Sequence, residues 1–242
     1  MSAIYAVGDI HGHLDALKQA LAWIKADGGP DAQIVFLGDY VDRGSDSKGV
    51  IELLAQGQAE GRNWICLMGN HDKYLIDFLN VGRAQSLLRP DLHWFDPRLG
   101  GAETLRSYGV DVEGKEDAVS TEELRTKVPA HHRAFLEALP LTHETDDLFF
   151  AHAGIRPGVA FADQVELDLI WIRQEFLGDT QDHGKLVVHG HTAVKFAKHA
   201  GNRVNLDGGT GFGRPLYPAV FENGQVWLLS DRGRQTLAPQ KL

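Results

Sequence analysis

Asp9 and His11 stand one position apart between Gly8 and Gly12, and His13 follows directly after. On an extended segment, side chains at i and i+2 point the same way, so this carboxylate and imidazole can bind one ion together. Pairing of glycine with metal-ligand side chains recurs in Gly38-Asp39-Tyr40-Val41-Asp42-Arg43-Gly44, Gly69-Asn70-His71-Asp72, Ala151-His152-Ala153-Gly154 and His189-Gly190-His191. Any one of these turns is a weak signal, because Asp, Asn and His in glycine turns often cap helices or satisfy loop backbone. Independent capping does not predict five such turns in succession, each closing an apolar run.

The chemistry that needs such a set is a two-metal centre. Carboxylates and imidazoles suit manganese, iron or zinc, and the absence of thiolate ligands argues against a closed structural zinc. Two cations about 3.5 to 4 Å apart can clamp a phosphoryl group, generate hydroxide near neutral pH and offset the charge of an in-line displacement. One carboxylate would have to bridge both ions, and Asp39, at the end of the second apolar run, is the candidate.

The elements that must position these side chains alternate in the first half of the chain. Apolar strands are expected at 3–7, 33–37 and 63–68, each followed by a helix: "LDALKQALAWIKA" from Leu14, "KGVIELLAQG" and "HDKYLIDFLN". That rhythm argues for a parallel sheet whose carboxyl-end loops converge on one crevice. Glycine beside each ligand lets the backbone bend tightly enough to bring them there. From about 80 to 140 the rhythm changes, and the stretch reads as an inserted, mostly helical cap too poor in apolar residues to carry its own core. Strands return at 147–154, 185–191 and 203–209, and Asn223-Gly224 between apolar runs signals a hairpin. The expected fold is therefore α/β, with two packed sheets and helices outside, as one domain over 1–242 interrupted by the cap.

At 242 residues with 43% hydrophobic and 24% charged side chains, the chain can bury a substantial core. The formal charge of −9 opposes a role in tracking a nucleic-acid backbone, which needs many phosphate-neutralising cations. No stretch approaches the roughly 20 apolar residues of a membrane span. The start shows no secretory pattern, and a single cysteine, Cys66, forbids an internal disulfide, so a cytoplasmic location is expected. Cys66 closes the apolar run Trp64-Ile65-Cys66 and reads as a buried small hydrophobe.

The motifs GDIHG, GDYVDRG and GNHD, followed by "HAG" and "GHT", resemble those of the calcineurin-like metallophosphoesterases. More narrowly they are similar to the phosphoprotein phosphatase family, especially its bacterial and bacteriophage-type members. The resemblance covers Asp9 to about Asp207 and implies a four-layer α/β/β/α sandwich. It implies that Asp9, His11 and bridging Asp39 hold one divalent ion, and that Asp39, Asn70, His152 and His191 hold the second, with manganese first and iron or zinc as alternatives. His189 would be a neighbour and His13 would lie outside the set. His71 would be the general acid for the leaving oxygen, held by Asp42. Arg43 and Arg173, the latter in "LIWIRQEF", would hold phosphate oxygens alongside Asn70. The structural alternative for Arg173 is a surface salt bridge to Glu175 or Asp179. Trp94, Arg98, Tyr108 and the loop 208–215 are candidates to shape access, with ordinary loop packing as the alternative for each. That loop is no dinucleotide fingerprint, because no helix is expected after it.

What the resemblance implies is hydrolysis of phosphate monoesters by direct attack of metal-bound hydroxide. Phosphoserine or phosphothreonine in proteins is the leading substrate. The alternative is a symmetrical diadenosine tetraphosphatase, or another nucleotide pyrophosphohydrolase, using the same site on a small phosphorylated substrate. Asp72 stands where eukaryotic-type protein phosphatases usually have Glu, and GNHD also occurs in the diadenosine tetraphosphatases. Those enzymes commonly lack the acid of VDRG, which is present here as Asp42, so the two signals point to different substrates. A catalytically silent scaffold would be free to lose ligands, yet every one is present.

Overall fold

The computed structural model describes residues 3–82, 84–85, 89–110, 112 and 120–240. The apolar runs Ile4–Val7 (β1), Gln33–Phe36 (β2) and Trp64–Cys66 (β3) lie side by side and parallel. Each is followed by a helix: Leu14–Gly28 (α1), Ser47–Ala59 (α2) and Asn70–Val81 (α3). In α1 the residues Leu17, Ala20 and Ile24 turn inward at helical spacing, and in α2 Val50, Ile51 and Leu54 do so. Three antiparallel strands extend the sheet beyond β1, in the order β11-β10-β9-β1-β2-β3: Ala219–Glu222 (β9), Gln225–Ser230 (β10) and Gly233–Thr236 (β11). The β9–β10 hairpin turns on Asn223 and Gly224, with φ of 50° and 72°, the conformation a two-residue turn between twisted strands requires.

A second sheet takes the order β4-β5-β6-β8-β7. Its centre is parallel: Leu148–Ala151 (β5), Leu186–His189 (β6) and Arg203–Asn205 (β8). Thr142–Glu144 (β4) and Lys198–His199 (β7) pair antiparallel at its edges. The two sheets meet face to face, where Ala6, Val35 and Phe221 of the first pack with Phe150, Val188 and Val204 of the second. The opposite faces, carrying Tyr5, Ile34 and Phe36 in one sheet and Phe149 and Val187 in the other, are covered by helices. The second sheet is covered by Glu166–Trp171 (α7) and Gln174–Leu177 (α8), through Leu169, Ile170 and Phe176. Two mixed sheets flanked by helices are thus the layers expected. Strands buried on both faces read as continuous apolar runs, which is why the central ones were legible. The edge strands β4, β7 and β11 and the short helices α7 and α8 were not, because they are short and their runs carry polar or charged side chains.

The insertion holds the helices Gly101–Ser107 (α4), Thr121–Lys127 (α5) and Ala130–Glu137 (α6). Much of the acidic stretch 111–124 (111 and 113–119) lies outside the described residues. The apolar side chains Trp94, Phe95, Leu105, Tyr108, Leu124, Phe135 and Leu136 are buried in the same cluster as the outer face of the first sheet. Helices α4 and α6 lie against α2, and α5 and α6 against α3. Trp94 sits between Phe78 of α3 and Phe95, its ring centroid 5.4 Å from each. Cys66 is fully buried and unpaired. No helix of the described residues is long and apolar enough to cross a membrane.

Candidate metal centre

Five turns at the carboxyl ends of β1, β2, β3, β5 and β6 meet where the two sheets adjoin. Asp39 lies at the middle with its two carboxylate oxygens turned to opposite sides. Oδ2 is 3.6 Å from His11 Nε2 and 4.0 Å from His71 Nε2. Oδ1 is 3.4 Å from His152 Nε2 and accepts the His71 backbone N–H at 2.9 Å. Two groups of ligand atoms result, each within 4.8 Å of one another: His11, Asp39 and His71, and Asp39, His152 and His191. Asp9 Oδ2 stands 3.9 Å from His11 Nε2, and its oxygens accept the His191 backbone N–H at 3.1 and 3.2 Å. Asn70 Oδ1 lies 3.0 Å from His152 Nε2 and 2.7 Å from His191 Nδ1. Asp9, His11, Asp39, Asn70, His152 and His191 are therefore brought together, none more than 7% exposed. His189 turns its ring onto Phe176, and His13 sits at the N-cap of α1.

Asp9 and His11 converge for a reason other than the one their spacing suggested. The strand ends at Val7, and His11 has φ 49°, so the pair is brought together by a left-handed turn and not by extended alternation. Glycine makes room for close approach at two further points. A Cβ on Gly69 would lie 2.2 Å from Asp39 Oδ1, and one on Gly190 would lie 2.1 Å from Asp9 Oδ1.

The donor set fits divalent cations. His11 and His152 each turn Nδ1 to a backbone carbonyl, of Val41 and Leu37, both at 2.9 Å. Nδ1 must carry the proton there, which leaves the Nε2 lone pair for a cation. For His152 that lone pair faces the oxygens of Asn70 and Asp39, and acceptors turned on one another in a buried site are what a cation reconciles. Burial lowers the pKa of His11, His152 and His191, so they are held in the neutral, ligating form. Burial, then the charges of Asp207 and Asp39, push Asp9 well above the usual carboxylate range. Burial also acts upward on Asp39, but its net shift is downward, and protonated His71, near Oδ2 and donating its backbone N–H to Oδ1, favours the ionised carboxylate. Bound cations would hold Asp9 in its charged form as well.

His71 behaves differently. Burial opposes its protonation, yet the charges of Asp39 and Asp42 outweigh that and raise its pKa. Its Nδ1 lies 2.6 Å from Asp42 Oδ2. Asp42 is itself fixed from the insertion: Trp94 Nε1–H donates to Oδ2 at 2.9 Å, and Thr104 Oγ1–H donates to Oδ1 at 2.6 Å. Trp94 was expected to be a candidate for shaping access; fully buried, it anchors Asp42 instead. Tyr108 is buried against His132, and Arg98 is exposed and paired with Asp96, so neither borders the centre. Arg43 directs Nη1 to His11 Nε2 at 2.8 Å and Nη2 to His71 Nε2 at 3.3 Å. Arg173 is exposed and makes no salt bridge to Glu175 or Asp179, and its charge acts on Asp39, Asp207 and Asp9.

Two contributors, Thr104 and Asp207, escaped the sequence reading, and a third, Asp72, entered it only as a signal of substrate. Asp72 is fully buried and accepts the backbone N–H groups of Asp39, Tyr40 and Gly69 at 2.8 to 2.9 Å. It locks the Asp39 turn to α3, so its identity bears on the scaffold and not on substrate contact. Thr104 gave no signal, being one threonine in an amphipathic helix. Asp207, 3% exposed and acting by its charge on Asp9, follows an apolar strand end as the candidate ligands do, a signal the sequence carries. Burial and then the Asp39 charge raise its pKa to about 6.

This fold, with this centre at its strand ends, is that of a calcineurin-like phosphoesterase: the family model matches residues 2–212, and the chain belongs to that family. Among curated proteins it is 25% identical to the bis(5'-nucleosyl)-tetraphosphatase PrpE [asymmetrical] of Halalkalibacterium halodurans, covering 97% of this chain and 96% of the relative. It is 26% identical to the protein of the same name from Bacillus velezensis, over 87% and 85%. Among solved structures, one provisionally described as a diadenosine tetraphosphatase superposes with TM-score 0.63 at 21% identity, over 96% and 95%. A cold-active protein-tyrosine phosphatase of a psychrophilic Shewanella superposes with TM-score 0.65 at 16% identity, over 98% of this chain and 81% of that one. The chain is a metallophosphoesterase, with His and Asp clusters suited to divalent metals.

Proposed function

We propose that this protein hydrolyses dinucleoside polyphosphates, cleaving the phosphate chain asymmetrically. The observation that carries the reading is the likeness, over nearly the whole of both chains, to proteins named as asymmetrical bis(5'-nucleosyl)-tetraphosphatases. The order of the two readings drawn from the sequence is thereby reversed, and asymmetrical cleavage replaces symmetrical. Asp9, His11 and Asp39 would hold one divalent ion, and Asp39, Asn70, His152 and His191 the other. When bound, the two ions would supply positive charge to the phosphoryl group and lower the pKa of water. Arg43, its guanidinium already among the ligand imidazoles, and Arg173 would bind phosphate oxygens, with Asn70 beside them. His71, kept protonated against Asp42, would donate its proton from Nε2 to the leaving oxygen.

A second reading, hydrolysis of phosphomonoesters including phosphoproteins, has one feature in its favour. The His71–Asp42 pair is intact and buttressed. Such a pair matters most for a poor leaving group, which an alkoxide is and a polyphosphate is not. Comparing kcat/KM of the manganese-loaded enzyme on diadenosine tetraphosphate and on a phosphoserine peptide separates the two. The proposal expects a large preference for the dinucleotide, with AMP and ATP as products. Two molecules of ADP, or a preference for the peptide, would refute it.

A further inference from the structure

We propose that Phe212 is a platform on which a nucleobase of the substrate stacks. The loop that carries it lies directly on the metal centre. A Cβ on Gly211 would come within 2.6 Å of His11 Cδ2 and 2.9 Å of Arg43 Nη1, so the chain passes over these two side chains at contact distance. The Phe212 ring centroid is 4.9 Å from Arg43 Cζ, which places one ring face against the guanidinium. The side chain nonetheless remains 61% exposed, so the ring is also presented to solvent. An aromatic group pinned at the rim of a phosphate-binding site, with surface still open, suits a ligand that joins a flat apolar ring to a phosphate.

The loop is built to hold that ring still. Thr210–Phe212 form one tight helical turn between Gly209 and Gly213, whose φ angles of 86° and 78° favour glycine. The Phe212 N–H donates to Gly209 O at 2.9 Å, and Gly209 N–H to Asp207 Oδ1 at 2.9 Å, which ties the turn to the buried acid beside the centre. Arg214 donates to Val194 O at 3.0 Å, fastening the far end of the loop. A ring held this way loses little conformational freedom on stacking. The nucleobase is its best-matched occupant, because a nucleotide separates base from phosphate by one sugar and Phe212 adjoins a phosphate-binding arginine.

This inference rests on the nucleotide reading of the site, and its test is made independent of cleavage. Manganese-loaded protein is titrated calorimetrically with AMP and with ribose 5-phosphate, which carry the same phosphate and differ in the base. Wild type is expected to bind AMP about tenfold more tightly, the order of one base–aromatic stack. Phe212→Ala is expected to abolish that ratio and Phe212→Trp to preserve it. A shift of Arg43 in the variant alters both ligands alike and cancels in the ratio. A ratio unchanged by Phe212→Ala overturns the proposal, as does a failure of AMP to bind. A preference for phenylphosphonate, whose P–C bond is not hydrolysed, equal to that for AMP would assign the ring to aryl phosphoryl groups in general and overturn it as well. Should wild type bind AMP as expected yet leave diadenosine tetraphosphate uncleaved, the proposed activity fails while the platform stands.

Discussion

Among the described residues six that are not glycine have φ in the left-handed region, and five of them belong to the site: His11, Asp39, Asp42, Arg43 and His191. Each such conformation costs an L-residue about 1 to 2 kcal/mol, and His, Asp and Asn tolerate it better than most. Strain gathered in these turns shows that their side chains are aimed at one point against local preference and held there by the fold. His71, in contrast, is helical and takes its orientation from Asp42. If it is an acid, its removal should matter in proportion to how poor the leaving group is. His71→Asn is expected to lower kcat by roughly 10² to 10⁴ on phenyl phosphate, and by clearly less on p-nitrophenyl phosphate. Elemental analysis should still find two ions per chain. Equal losses on both esters together with loss of one ion would make His71 a ligand.

At the scale of elements, the insertion is a buttress. Its Trp94 and Thr104 hold Asp42, its Gly100 carbonyl accepts the Arg43 backbone N–H at 3.2 Å, and its apolar side chains join the core under the first sheet. The turn after β2 is thus clamped on one side by α3 through Asp72 and on the other by α4 through Thr104. Thr104 both donates to Asp42 Oδ1 and accepts its backbone N–H at 2.8 Å, so Thr104→Val leaves the buried carboxylate one donor short and the amide with Ser47 Oγ alone, at 3.1 Å. The expected cost is about 1 to 3 kcal/mol of stability. Kinetically, kcat on phenyl phosphate should fall at nearly constant KM, with Thr104→Ser restoring most of it. A lowered melting temperature with unchanged kcat would show that Thr104 serves the core alone.

At the scale of the molecule, the candidate centre sits on the seam between two sheets, with proposed ligands from the ends of three parallel strands of one and two of the other. Asp9, Asp39 and Asp207 are buried together there, and cations that offset their charge would join the sheets. Manganese at about 100 times its Kd should stabilise the fold by about 2.7 kcal/mol. For a chain of this length that is a rise in melting temperature of about 5 to 10 °C, reversed by chelation. In Asp9→Asn the metal-free protein should melt no lower than metal-free wild type, because a buried acid has been replaced by a neutral isostere. The same variant should gain little from manganese. An Asp9→Asn protein that manganese stabilises as fully as wild type would remove Asp9 from the ligand set.

The chain alone determined the layers and which side chains would be candidate ligands, since apolar runs ending in glycine turns are local patterns and strands buried on both faces advertise themselves. It also determined that the chemistry would be carried by carboxylates and imidazoles, because those side-chain types are simply present. Tertiary structure alone decided how Asp39 divides its oxygens between two sides, that Trp94 and Thr104 serve Asp42, and that Phe212 lies against Arg43. Each of those contacts joins residues far apart in the chain and depends on distance and angle between separate elements. No local periodicity encodes such geometry, and it comes into being only when the sheets and the insertion close on one another.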